Sequence, residues 1–176
     1  MRAMDGIGAA IGMALLATSA AGAAASTPGA DGRSTIGVFR DWAAFRDGPT
    51  DVPSRCFAIA EPPRGTAAAG RGAFASVANW PARRIRAQLA IHLSHAPRGP
   101  ATLSIGDASF ALVVRGQQAW ARDRHADAAI IATMRSGSSM SISGVTATGM
   151  PFADGYRLHG AASAIDAAAL ACLPAH

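Results

Sequence analysis

The amino-acid sequence predicts a mainly β fold, an antiparallel β-sandwich with two short helices, and three observations indicate it. Short segments that alternate between apolar and polar residues recur along the chain, separated by stretches rich in proline and glycine. Only two segments, both in the second half, space their apolar residues as a helix does. Two cysteines lie far apart, at positions 56 and 172. Many short strands with few helices favour a sandwich over an alternating α/β fold.

The clearest strand is predicted over residues 85–94, IRAQLAIHLS, in which every second residue from Ile85 is apolar. A period of two with one apolar face is typical of an antiparallel strand that buries one face. A slip in apolar parity after Ile142 predicts a β-bulge near Gly144. The remaining single strands are predicted over residues 37–45, 55–62, 73–80, 139–147 and 155–160.

Residues 101–114, ATLSIGDASFALVV, predict a hairpin. Gly106-Asp107 suits a two-residue type II′ turn, which needs glycine at its first position. That turn would place Ile105 opposite Ala108, and the following pairs on the same face are also apolar. Turn chemistry and apolar pattern therefore predict the same register.

Two helices are predicted between or after the strands. The first begins with Asp127 as its N-cap and ends at Gly137. The second begins with Ser163 as its N-cap and has Asp166 three residues later, which is a capping-box pattern. The apolar face of this helix continues to Cys172, so Cys172 is expected to point into the core.

Residues 1–25 predict a secretory signal peptide, because a basic start and an uncharged apolar stretch lead to Ala23-Ala24-Ala25 before Ser26. Cleavage there would give a periplasmic or secreted protein. An uncleaved membrane anchor is the alternative, since about 20 apolar residues can span a bilayer. Residues 26–35 are small and polar and predict a flexible leader. Residues 36–176 are expected to form a single β-sandwich domain.

Cys56 and Cys172 are predicted to form a disulfide that ties the last helix to the sheet. An exported chain with two inward-facing cysteines most simply pairs them. The alternative interpretation makes Cys56 a nucleophile, which requires a nearby base and an accessible, electropositive setting. Apolar Phe57 and Ile59 flank Cys56, and the nearest histidine in sequence is His92. The disulfide is therefore favoured.

No residue pattern predicts a catalytic site, a metal site or a cofactor. His92 and His95 are three residues apart on a predicted strand, where they would face opposite ways, and no cluster has zinc-ligand spacing. GxSxG, Walker and HExxH motifs are absent from the sequence. The net charge is +5, but abundant Ala, Gly and Arg also fit a GC-rich coding bias, so nucleic acid is not an expected partner.

Arg83, Arg84 and Arg86 form a basic cluster at the start of the strand over residues 85–94. Arg84 and Arg86 share their parity with Gln88 and His92, which predicts a polar stripe along one exposed face. One interpretation is a solvated strand whose arginines discourage edge-to-edge pairing. The other is that these arginines bind an anionic partner, such as phosphorylated lipid headgroups at a membrane surface or an acidic protein.

Several short fragments occur in a characteristic order along almost the whole chain after residue 25. They are Phe39-Arg40-Asp41-Trp42, Cys56-Phe57-Ala58-Ile59-Ala60-Glu61-Pro62, the basic strand from Arg84, Phe110-Ala111-Leu112-Val113, Ala119-Trp120-Ala121, Met134-Arg135-Ser136-Gly137-Ser138-Ser139-Met140, and Tyr156-Arg157-Leu158 before the helix with Cys172. In this order and spacing, the sequence resembles the invasion-associated locus B family of exported α-proteobacterial proteins.

The resemblance implies an immunoglobulin-like β-sandwich, export to the periplasm or cell envelope, and no known catalytic residues. The family takes its name from a role in host-cell invasion in pathogenic members. Many relatives live freely, so that role does not transfer to this chain. One departure from the family is Arg40, which stands where the family typically has glycine.

The sequence as a whole predicts a non-enzymatic cell-envelope protein that interacts with an envelope or host component. The alternative is a binding module for a small periplasmic ligand, and a less favoured one is a hydrolase that uses the histidines. An open arginine face would favour the interaction protein, and an apolar pocket with converging polar groups would favour the module. A His–Asp pair within hydrogen-bonding reach of a serine or Cys56 would favour the hydrolase.

Overall fold

A computed structural model describes residues 32–173 of the chain. The predicted signal peptide, residues 1–25, and the start of the predicted leader lie outside the described residues. The first strand begins at Arg33, so residues 33–35, which the sequence placed in the leader, belong to the sheet instead.

The described residues form ten strands and two α-helices. The strands are β1 (Arg33–Phe39), β2 (Trp42–Asp47), β3 (Arg55–Ala60), β4 (Phe74–Trp80), β5 (Ile85–His92), β6 (Ala101–Ile105), β7 (Ala108–Arg115), β8 (Gln118–Ala121), β9 (Ser139–Val145) and β10 (Pro151–Arg157). The helices are α1 (Arg124–Ser136) and α2 (Ala161–Ala171).

All ten strands belong to one antiparallel sheet, in the order β1-β2-β3-β4-β5-β8-β7-β6-β9-β10. Inward-facing residues of strands from β2 to β10 share a single hydrophobic core with both helices. The predicted mainly β, antiparallel fold is therefore confirmed. Its sandwich-like arrangement arises from one continuous sheet whose inner face surrounds the core.

The two ends of the sheet approach each other. Trp42 of β2 is 1% exposed, and its indole Nε1 donates a hydrogen bond of 2.9 Å to the carbonyl oxygen of Arg157 at the end of β10. Gly160, with φ 86°, packs directly against the Phe39 carbonyl, and a Cβ atom at this position would overlap that oxygen. Both contacts hold the segment before α2 against the turn between β1 and β2.

The predicted disulfide is confirmed. Cys56 on the inner face of β3 is fully buried and is bonded to Cys172, which caps the C-terminal end of α2, with a Cα–Cα distance of 5.7 Å. The buried face of α2 packs against β1 to β4, while α1 packs against β5, β7 and β8. The bond therefore fixes the end of α2 on the sheet.

The predicted hairpin is also confirmed. Ile105 pairs with Ala108 and Leu103 pairs with Phe110, which is the register predicted from the Gly106-Asp107 turn. Gly106 has φ 54°, the conformation that a type II′ turn needs at its first position.

The sequence was wrong about the segment over residues 37–45, which is a hairpin and not one strand. β1 and β2 are joined by a turn in which Arg40 adopts a left-handed conformation, with φ 58°. The strand predicted over residues 155–160 lies earlier, as β10, and β8 was not predicted.

The β-bulge predicted near Gly144 is absent, since β9 and β10 pair there without interruption. The parity slip arises because Val145 points to the outer face, where it is half-buried.

Both predicted helix N-caps were wrong. Asp123 caps α1, because its side chain accepts a hydrogen bond from the Ala126 N–H, and Asp127 lies buried in the first turn. α2 begins after Gly160, and Asp166 forms an ion pair with Arg135 instead of a capping box. Asp127 contacts β5 and Asp166 contacts α1, so neither carboxylate is free to cap its own helix. These contacts between elements cannot be read from the local sequence.

The disulfide gives the first testable prediction. Cys172→Ser should lower the free energy of unfolding by about 2–5 kcal/mol, because it removes a cross-link that closes a long loop. Urea denaturation of the oxidised protein and of the variant measures the difference. Reductant should destabilise the wild-type protein by a similar amount and leave the variant unchanged. Equal stability of the two oxidised proteins would contradict the structural role.

Arg40 gives the second prediction. A left-handed conformation costs a residue with a Cβ atom about 1–2 kcal/mol, and glycine avoids most of that cost. Arg40→Gly should therefore stabilise the protein by up to about 1 kcal/mol, which raises Tm by about 2–4 °C. Arg40→Ala is the matched control, because it removes the same side chain but keeps the Cβ atom. If both variants gain equally, the conformation of Arg40 is not the cause.

Candidate functional site: a basic groove beside the disulfide

A β-bulge in β5 shapes the candidate site. Trp80 pairs with Ile85 and Ala78 pairs with Gln88, so Asn79 alone faces two residues of β5. The bulged strand bends there, and bulges recur next to functional sites because they redirect side chains.

The Asn79 side chain holds the bulge in place. Its Oδ1 accepts a hydrogen bond of 3.0 Å from the N–H of Ala87, whose φ is 51°, and its Nδ2 donates one of 3.4 Å to the Cys56 carbonyl. Asn79 is 6% exposed. One buried amide therefore connects the bulge to the strand that carries the disulfide.

The segment before the bulge is also in an uncommon conformation. A single 3₁₀ turn over Pro81–Arg83 ends at Arg84, which has φ 53°. Within the part of the chain that the structure describes, three non-glycine residues have positive φ, and two of them, Arg84 and Ala87, lie here. Left-handed conformations of this kind are strained and cluster at functional sites, so the segment is a candidate on geometric grounds.

An apolar groove of about 470 Å³ opens between this segment and the C-terminal end of α2. Leu170, 66% exposed, and Leu173, 45% exposed, line this groove. The lining residues are Asn79, Pro81, Arg84, Ile85, Arg86, Ala87, Ala169, Leu170, Cys172 and Leu173.

Two of the predicted basic residues, Arg84 and Arg86, line this groove, and Arg83 lies just before them on the 3₁₀ turn. Arg83, Arg84 and Arg86 are exposed, and none of the three forms an ion pair with a described residue. Arg124, at the start of α1, donates a hydrogen bond of 3.1 Å from Nη2 to the Arg84 carbonyl and adds a fourth guanidinium. We call these four residues the basic cluster.

The polar stripe expected along β5 does not extend past the bulge. Gln88 is half-buried, and His92 stacks on Phe74 with ring centroids 5.4 Å apart. The Nδ1 atom of His92 also lies 2.7 Å from Nε2 of Gln118. His92 is therefore engaged with neighbouring strands, and the exposed charge is confined to the start of β5.

Arg33, Arg55 and Arg157 of the sheet are paired with described carboxylates, in contrast to the basic cluster. Asp47 accepts hydrogen bonds from Arg33 at 2.7 Å and Arg55 at 2.6 Å. Both guanidinium groups lie over the Phe57 ring, 5.1 and 4.2 Å from its centroid. Burial raises the pKa of Asp47, but the hydrogen bonds and charges of the two arginines outweigh it, so the pKa lies below its usual value.

A second polar cluster, which the sequence did not reveal, is buried at the other end of β5. The Ser94 hydroxyl donates a hydrogen bond of 2.5 Å to Oδ1 of Asp154, which is 0% exposed, and Oδ2 accepts one of 2.8 Å from the Ser94 N–H. Ser94 Oγ also lies 2.9 Å from Nδ1 of His95. If the hydroxyl donates to Asp154, the Nδ1–H of His95 is the donor in that contact. His95 in that state cannot act as the base that activates Ser94.

A buried tyrosine adjoins this cluster. Tyr156 is buried next to Asp154, and burial together with the charge of Asp154 raises the pKa of its hydroxyl above the usual value. Its hydroxyl has no hydrogen-bond partner among residues 32–173. The signal for Asp154 was available in hindsight, because it lies between Phe152 and Tyr156 at an inward parity of β10.

Arg124 was not identified from the sequence as part of the basic cluster, nor Asp127 as a buried residue, because the first helix was predicted to begin too late. Oδ1 of Asp127 accepts a hydrogen bond of 2.9 Å from the Leu89 N–H on β5. Burial raises the pKa of this carboxyl above its usual value. This contact holds the start of α1 against β5 and so positions Arg124 near Arg84.

Within residues 32–173, no three His, Cys, Asp or Glu side chains lie close enough together to hold a metal ion. The same residues include no helix that is long and apolar enough to cross a membrane. Comparisons with known protein families, with curated proteins and with solved structures find no match. The disulfide is typical of proteins from an oxidising compartment and is compatible with an exported protein.

The ion pairs of Asp47 predict a pH dependence of stability. Because its pKa is lower in the folded than in the unfolded chain, its stabilising effect is present above about pH 4 and is lost as pH falls through the folded value. Asp47→Asn should cost about 1–2 kcal/mol at neutral pH. Urea denaturation at pH 7 and at pH 3 should show the difference shrinking in acid. Asp51→Asn, at an exposed position, is the control, and a difference independent of pH would contradict the assignment.

Proposed function

We propose that this protein is an exported, non-enzymatic cell-envelope protein that binds an anionic envelope component through the basic cluster. The observation that carries the proposal is that Arg83, Arg84 and Arg86 lie within four residues of chain, next to Arg124, which hydrogen-bonds the Arg84 carbonyl, and that none of them has a described carboxylate partner. Arg33, Arg55 and Arg157 of the sheet have such partners. Unneutralised guanidinium groups close together in the chain attract phosphate or carboxylate, which their planar forks bind with two hydrogen bonds.

Strain in the same segment supports the proposal. A turn that places Arg84 in a left-handed conformation and a bulge that does the same to Ala87 cost stability. The Asn79 amide and the nearby disulfide hold both in place. Such an arrangement is understandable if the direction of the arginine side chains matters to binding.

Export to the periplasm or beyond is part of the proposal, as is membership of the invasion-associated locus B family. The uncharged apolar stretch in residues 1–25 and the Cys56–Cys172 disulfide support export. The left-handed conformation of Arg40 supports the family, since a position that typically carries glycine there suits that conformation.

The hydrolase alternative gains no support from Ser94, which contacts both a histidine and a carboxylate. Ser94 is 5% exposed, and its hydroxyl contacts the carboxylate of Asp154 directly, with Oγ 2.5 Å from Oδ1. A nucleophilic serine needs the opposite order, with the base between the serine and the carboxylate. We therefore propose a binding role only.

The fourth prediction concerns membrane binding. Each basic residue near an anionic surface contributes about 1 kcal/mol, so Arg83/Arg84/Arg86→Gln should weaken binding to phosphatidylglycerol vesicles roughly a hundredfold at low salt. Vesicle co-sedimentation at low and moderate salt measures this. Binding by the wild-type protein should weaken as salt screens the charges over about 8–10 Å.

A charge-matched variant is the control. Arg71, Arg98 and Arg115 are exposed and lie toward the opposite ends of β4, β5 and β7. Arg71/Arg98/Arg115→Gln removes the same net charge and should retain most of the binding. An equal loss in both triple variants, or no vesicle binding by the wild-type protein, would refute a specific role for the basic cluster.

A further inference from the structure

We propose that the groove beside α2 binds one molecule of a single-chain anionic lipid, with its acyl chain in the groove and its headgroup on Arg84 and Arg86. This inference rests on the proposed function, because it names the ligand class of the same site. It goes beyond surface attraction, since it requires that one lipid be held apart from a bilayer.

The apolar wall of the groove is the first argument. Leu170 and Leu173 lie at and beyond the last turn of α2, 66% and 45% exposed, and Pro81 and Ile85 form the opposite side. The fold gains little from leucines in solvent, whereas an apolar ligand would cover them. Both walls are therefore suited to a hydrocarbon chain.

The polar groups of the groove are the second argument. Both polar side-chain atoms of Asn79 are engaged, by the Ala87 N–H and the Cys56 carbonyl, and Cys172 is in the disulfide. The side chains left to recognise a polar ligand group are the guanidinium groups of Arg84 and Arg86. A ligand that matches this groove has an apolar body and one anionic end.

Size and rigidity are the third argument. The volume of about 470 Å³ lies in the lower half of the usual range of about 300–1,000 Å³ for small-ligand sites. The bulge fixes one wall, and the Cys56–Cys172 bond fixes the other at the end of α2. Because the groove is preformed, it loses little conformational freedom when a ligand binds. Its volume suits a single acyl chain.

Isothermal titration calorimetry with lysophosphatidylglycerol, below its micelle concentration, tests the inference on the purified protein. We expect binding of one molecule per protein chain, with the negative heat-capacity change that burial of apolar surface produces. Lysophosphatidylcholine with the same acyl chain has a zwitterionic headgroup and should bind at least about tenfold more weakly.

Two variants separate the apolar and charged contributions. Leu170→Gln/Leu173→Gln should weaken lysophosphatidylglycerol binding at least about tenfold, because it removes one wall of the groove. The same variant should retain binding to phosphatidylglycerol vesicles, which depends on the arginines. Val113→Gln/Met150→Gln is the matched control, since it replaces two exposed apolar side chains away from the groove. Circular dichroism melts confirm that both variants are folded.

The outcomes distinguish the two proposals. Arginine-dependent vesicle binding without binding of the single lipid overturns the lipid inference and leaves the proposed function standing. Leucine-dependent binding of the single lipid that does not depend on headgroup charge overturns the lipid inference in favour of a purely apolar ligand. A dimer that forms through Leu170 and Leu173, and that excludes the lipid, also overturns the inference.

Discussion

The covalent bond between Cys56 and Cys172 fixes where the last helix meets the sheet. Cys56 faces the core from β3, and Cys172 ends α2, so the bond determines which side of the sheet the helix covers. At its other end α2 begins at Gly160, which packs against the carbonyl of Phe39 beside the turn between β1 and β2. A helix held at both ends in this way closes the core over β1 to β4 and leaves its last turn at the edge of β5.

The bulge of β5 depends on the same region of the core. Asn79 is buried behind the disulfide strand, and its amide satisfies the Ala87 N–H that the bulge removes from the regular ladder. An unsatisfied buried group would cost about 1–3 kcal/mol, so this one side chain makes the distortion stable. The distorted strand places Arg84 and Arg86 at the groove beside α2.

Two polar clusters illustrate how similar residue types serve different roles. Asp47 bonds to Arg33 and Arg55, whose guanidinium groups lie over the Phe57 ring. The charges of this cluster are therefore compensated by one another. The basic cluster has four guanidinium groups and no described carboxylate, so its positive charge must be compensated by a binding partner or by solvent. Buried Asp154 belongs to the first kind, since Ser94 satisfies both of its oxygens and ties the segment after β5 to β10.

Local pattern in the sequence determined the hairpin of β6 and β7 and the positions of most strands, and the presence of two cysteines determined how they pair. Alternation, turn chemistry and the inward parity of Cys172 each act over a few residues, so one chain suffices to read them. The arginines at the start of β5 were also identifiable from sequence. Tertiary structure alone decided the turn at Arg40, the burial of Asp127 and Asp154, and the groove. Each depends on which strand or helix lies alongside, because a bulge is defined by its partner strand and a groove by two elements distant in the chain.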